Sequence, residues 1–181
     1  MSSFQFFTLF TIFSTLFFSI DGVLIRQFFK ADQKKAETSH LHFFFHDILS
    51  GKTPTAVRII GSPNNSSFGT TLMIDDALTE KQDPTSKIIG RAQGFYSVAA
   101  QQETAFLMVM NFVFVEGNYK GSSLSILGRN PVLNDVREMP IVGGTGLFRF
   151  ARGYVLAHTV WFDANTRDAI VEYNVYVSQT S

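Results

Sequence analysis

From His40 onward the chain reads as short runs of alternating apolar and polar positions, broken by clusters of turn residues. Val171, Tyr173, Val175 and Val177 share one parity of the last run, and Glu172, Asn174 and Tyr176 share the other. That two-residue period belongs to a strand with one buried face. In the first run Phe43, Phe45, Asp47 and Leu49 stand against His42, Phe44 and His46, so a carboxylate is threaded into an apolar stripe. Runs opening at His40, Thr55, Phe68, Ile88, Thr104, Tyr119, Gly146 and Asp168 make about eight β-type segments with short connections. No convincing amphipathic helix interrupts them, which predicts an all-β chain, either an up-and-down antiparallel barrel or a sandwich. The segment 105–115 is apolar on both parities. In a barrel this implies a filled lumen inside and a covered face outside, most simply by another subunit.

The first twenty residues carry no charge and are rich in phenylalanine, and a polar stretch opens at Asp21-Gly22. They read as a secretory signal ending near Gly22, followed by a polar leader over 23–39 and a β domain over 40–181. The chain has no cysteine, so a secreted fold must rest on its core and hydrogen-bond ladder. Thiolate chemistry is excluded with it. Asn64 and Asn65 open two overlapping N-x-S sequons, expected glycosylation sites on a surface loop of a secreted protein. A formal net charge of zero, with scattered basic residues, argues against nucleic acid or an anionic membrane as partner.

Blocks of sequence then narrow the reading. FFFHDIL, IDDALTE, GRAQGFY, NFVFVEGNYKGSSLSILGRN, VREMPIVGGTGLFRFARGY and VEYNVYV, in this order, together resemble the plant dirigent family. The REMPIVGGTGLFRFARGY block and the LGRN tetrad are most like the branch of stress-related and pterocarpan-forming members. The resemblance implies an eight-stranded antiparallel β-barrel with a central pocket, secreted to the apoplast or cell wall, glycosylated and oligomeric, usually trimeric. It also implies a role: binding phenoxy radicals made by a separate laccase or peroxidase, such as those of coniferyl alcohol, and steering their coupling into lignan or lignin-type products. Some members instead act as lyases, closing a ring on a bound quinone methide. A passive, lipocalin-like carrier of apolar ligands is the competing class; the one tryptophan, Trp161, lies near the wrong end of the chain for it.

The same resemblance puts Asp47, Asp75 and Arg137 in the catalytic part of the pocket, with Tyr96, Asn130 and Thr159 binding substrate. Asp47 among apolar neighbours would have its carboxyl pKa raised, which suits proton transfer to or from a quinone methide. Asp76 reads as a solvated turn residue. The planar fork of Arg137 can orient a phenolate but cannot act as a base. Where lignan-forming relatives carry a second aspartate, this chain has Asn130, which hydrogen-bonds but relays no proton. Gly143-Gly144-Thr145-Gly146 reads as a tight turn, since no helix follows as a nucleotide loop requires. His42 and His46 would lie about 13 Å apart along a strand, too far to share a metal. No cofactor and no metal are called for.

Overall fold

The computed structural model describes residues 37–62 and 66–179, so Asn64, Asn65 and the expected signal and leader up to residue 36 lie outside the described residues. Nine antiparallel strands follow in chain order: β1 (Glu37–Asp47), β2 (Ala56–Ile60), β3 (Thr71–Thr79), β4 (Ile88–Val98), β5 (Phe106–Phe114), β6 (Ser123–Asn130), β7 (Val136–Thr145), β8 (Arg152–Phe162) and β9 (Ala169–Gln179). The sheet runs β1-β9-β8-β7-β6-β5-β4-β3 and closes through β1 on β3, giving an eight-stranded barrel. β2 stands outside the ring. It takes the first half of the β3 edge, from Ala56↔Ile74 to Ile60↔Thr71, while β1 takes the second half, from Phe44↔Thr79 to His46↔Ala77.

Two elements differ from the sequence expectation. The alternation puts the β2 segment among the barrel strands and gives no sign of β7. Pro140 and the Gly143–Gly144 pair mask the strand period of β7, yet Arg137, Met139 and Ile141 alternate inward as a strand requires. A bulge between its pairings Ser125↔Gly143 and Ile126↔Ile141 takes up the irregularity. The expected glycine turn shrinks to Gly146 alone, at φ +61, opening the 3₁₀ turn Gly146–Phe148. β1 also opens at Glu37, three residues before the expected start of the domain.

The inward faces fill the barrel unevenly. Phe43 meets Phe112 edge-on at 5.1 Å, and Phe114, Tyr119 and Phe148 continue the cluster, with Tyr119 stacked on Phe148 at 4.9 Å. These rings plug one end, each large aromatic side chain contributing heavily to burial. At the other end the same strands leave a cavity of about 900 Å³. The parity read from the sequence holds there: Val171, Tyr173, Val175 and Val177 are buried, and Phe43 and Phe45 point inward beside Asp47.

Candidate active site

Strand phase decides which polar groups reach the lumen. In β3 the even positions Leu72, Ile74, Asp76 and Leu78 face inward. Asp76 is therefore fully buried, and the expectation that it is a solvated turn residue is wrong. Asp75 points outward, half exposed, where the Arg91 guanidinium donates to its carboxylate at 2.5 Å and Gln93 donates at 3.1 Å. Of the two aspartates it is Asp76, and not the expected Asp75, that faces the lumen. Continuing the β1–β3 register one residue past His46↔Ala77 faces Asp47 with Asp76, and side chains so placed stand about 5 Å apart at Cβ.

The two carboxyls share an environment that resists charge. Burial, and then the neighbouring Asp47 charge, push the Asp76 carboxyl up to about 8. Burial pushes Asp47 up to about 6, against the pull of the Tyr96 hydroxyl, which donates to Asp47 Oδ2 at 3.0 Å. Burial and the repulsion between their two charges thus make the pair hold its protons more tightly than free carboxyls do. Asp47 Oδ1 and both Asp76 oxygens lack a hydrogen-bond partner among the described residues. Buried oxygens left free in this way are uncommon, which marks the two carboxyls as a candidate acid–base pair.

The opposite wall gathers three further expected residues into one cluster. Arg137 is buried, and its Nε donates to Asn130 Oδ1 at 3.2 Å while Nη2 donates to Thr159 Oγ1 at 2.9 Å. Nη1 donates to the carbonyls of Asn134 and Asp135, which ties the β6–β7 loop to the site. Every partner is neutral, and one Nη2 hydrogen remains free among the described contacts. Burial lowers the affinity of this guanidinium for its proton, without approaching neutrality. A bulge at Val160, between Thr159↔Val171 and Trp161↔Ile170, turns Thr159 and Phe162 into the same cavity.

Between the two walls lies Tyr173, which the sequence placed on a buried face without a role. It is buried among Phe43, Phe45 and Phe112, and its hydroxyl is raised first by burial while the Arg137 charge lowers it. The signal was available: Tyr173 is the one polar-tipped side chain in a valine stripe. Tyr96 is held in place by stacking on Phe106 at 5.2 Å.

The acid pair leaves a mark on stability. Both carboxyls titrate above their ordinary value of 3.8, so between pH 4 and 8 the folded chain keeps protons that the unfolded chain has released. Stability therefore falls as pH rises through that window. The thermal midpoint is expected to drop from pH 5 to pH 8, and Asp76→Asn should raise the midpoint at pH 8 and flatten the slope. Scanning calorimetry at matched ionic strength checks this; an unchanged slope in the variant would contradict the assignment.

A closed antiparallel barrel with an apolar cavity, an acid pair on one wall and a buried arginine on the other defines a small-molecule binding protein of the dirigent class. Residues 38–178 match the model of the family described as dirigent-like protein, and the chain belongs to that family. It is 52% identical over 147 residues to dirigent protein 23 of Arabidopsis thaliana, covering 79% of each chain. It is 46% identical over 151 residues to pterocarpan synthase 1 of Glycine max, covering 80% of this chain and 81% of that one. The solved structure of a pterocarpan synthase dirigent protein superposes with a TM-score of 0.77 at 44% identity, over 80% of this chain and 97% of that one.

Proposed function

We propose that the barrel closes a ring in a phenolic substrate by way of a quinone methide, with loss of water. The observation that carries this reading is the buried pair of facing carboxyls, Asp47 and Asp76, both held above the usual carboxylate range by burial. Asp76, behind Asp47 and off the cavity lining, passes its proton through Asp47 to a benzylic hydroxyl as that C–O bond breaks, and Asp47 takes the proton of the phenol, leaving a quinone methide and water; the return of the proton to Asp76 follows the same route. A second hydroxyl of the substrate then attacks the exocyclic carbon and gives its proton to Asp76. The carbonyl oxygen takes the proton back from Asp47, and the pair returns to its starting state. On the opposite wall the free Nη2 hydrogen of Arg137 is left for a second oxygen of the substrate. Likeness to proteins named as pterocarpan synthases supports the reading. Incubation with a 2′-hydroxyisoflavanol should yield the dehydrated, cyclised product with one hand in excess by chiral chromatography.

A second reading rests on the size of the cavity. At about 900 Å³ it stands near the upper end of the usual range for small-molecule sites, room for two single-ring phenolics. In that reading the wall orients two phenoxy radicals supplied by a separate laccase or peroxidase. A tenfold preference for one coupling face needs only about 1.4 kcal/mol between two poses. Coniferyl alcohol oxidised by laccase, with and without the protein, separates the two, because Asp47→Asn should leave radical coupling unchanged and stop ring closure.

Self-association belongs to the same proposal. Val57, Met73, Phe95, Val109 and Leu127 are successive cross-strand partners on the outer face from β2 to β6, forming one apolar row. The outer face of β1 and β9 is polar by contrast, with His42 Nε2 2.7 Å from Glu172 and His40 Nε2 2.9 Å from Asn174. A row of this kind is best covered by another copy, as a trimer or a dimer. Val109→Glu is expected to yield monomers in sedimentation velocity runs at micromolar concentration. Secretion to the apoplast, with glycosylation at Asn64 or Asn65, rests on the apolar N-terminus and the two sequons; peptide mapping of the secreted protein tests it.

A further inference from the structure

The charged residues along the cavity do not mirror the chain as a whole. The protein carries no formal net charge, yet the side chains lining the cavity include three arginines, Arg58, Arg137 and Arg167, and one carboxylate, Asp47. Arg137 lies within the site, whereas Arg58 and Arg167 are exposed. Neither exposed arginine has a carboxylate within ion-pair distance among the described residues. The acids nearest Arg167 in sequence are already engaged. Asp168 accepts from the amides of Leu49 and Ser50 and from the Ser50 hydroxyl, and Asp163 accepts from the amides of Asn165 and Thr166.

Arg167 also sits at φ +67, a conformation that side chains other than glycine, asparagine or aspartate rarely adopt. The turn closing β8 on β9 would be relieved by glycine at this position. Retention of a strained, uncompensated arginine over a cavity points to use of its charge.

We propose that Arg58 and Arg167 form an anion subsite at the mouth of the cavity, so that among phenolics the barrel favours those carrying a carboxylate at the end remote from the reacting ring over neutral ones. The carboxylate is held at the mouth by the two guanidiniums, and the phenolic ring is directed inward to Tyr96 and the acid pair. This inference deepens the ring-closure reading by naming a substrate class, but its test needs no turnover.

The probes are ferulate and its methyl ester, two ligands of nearly equal shape that differ in one charge, with affinities measured by calorimetry. Wild type is expected to bind the acid about tenfold more tightly than the ester, the gain of one well-placed ionic contact. The preference should shrink in about 0.5 M salt, which shortens the screening length to a few Å. In Arg58→Gln combined with Arg167→Gly it should vanish with ester affinity unchanged. Arg167→Gly alone should keep or raise the thermal midpoint, which separates lost charge from lost fold. Equal binding of acid and ester by wild type, or a preference that survives in the double variant, overturns the subsite and leaves ring closure standing. A salt-sensitive acid preference in a protein that cyclises nothing upholds the subsite and overturns ring closure.

Discussion

Asp76→Asn is expected to lower the rate of ring closure by about 10²–10⁴-fold, the usual contribution of one positioned general acid. The amide keeps the size of the side chain but cannot give up a proton to the leaving hydroxyl. Affinity for a phenolic ligand should change by less than about threefold, because Asp76 lies behind Asp47, off the cavity lining. Asp47→Asn should cost a similar factor by removing the base, and should free the Tyr96 hydroxyl it now holds. Asp75→Asn, on the outer face in its pairing with Arg91, should leave the rate within about twofold. The pH profile of the wild type follows from the same pair. Turnover should rise as Asp47 ionises near pH 6 and fall as Asp76 loses its proton near pH 8. Single-turnover rates from pH 4.5 to 9.5 check this, and a flat profile with full activity in Asp76→Asn would remove the acid–base account.

The second large effect is expected at Arg137. Its guanidinium spans Asn130, Thr159 and the carbonyls of Asn134 and Asp135. Lysine can keep the charge but not the fork, so it satisfies one or two of these acceptors and leaves the others buried. Arg137→Lys should therefore destabilise the fold by about 1–3 kcal/mol, the usual cost of an orphaned buried polar group. It should also lower turnover about tenfold to a hundredfold and erode the excess of one product hand, since the β6–β7 loop and Thr159 lose their common anchor. Chiral product analysis beside thermal melts measures both. Unchanged handedness together with an unchanged midpoint would show that the cluster neither orients ligand nor braces the wall.

Much of this was legible in the alternation of side chains. The even parity of β3 already placed Asp76 with Leu72, Ile74 and Leu78, and the parity of β1 already placed Asp47 with Phe43 and Phe45. The family correspondence points to Asp75 instead, because it carries no information on which face of the strand each residue occupies. β7 was hidden for a different reason. Pro140 falls where β7 has parted from β6, whose pairing stops at Ile126↔Ile141, so its missing N–H breaks no ladder there. What the alternation does not show is Phe162 beside Thr159. Thr159 keeps the inward parity of Val155 and Ala157, but Phe162 reaches the same cavity only through the Val160 bulge, which shifts the phase of β8 by one residue and has no marker in the local sequence.

The aromatic plug at one end of the barrel has an implication for how this chain can change over generations. Rings such as Phe43, Phe112 and Phe148 are packed far from the mouth, and the closed ladder of main-chain hydrogen bonds is indifferent to most side chains. Residues at the rim of the cavity such as Leu133 and Phe162, by contrast, are exposed and support few contacts that a substitution could remove. Mutations there should fall at the mild end of the stability distribution, while those in the plug should fall at the severe end. Descendants of such a barrel can therefore explore new ligands one rim residue at a time without first losing the fold, so that diversification of substrates is limited by chemistry at the rim and not by folding.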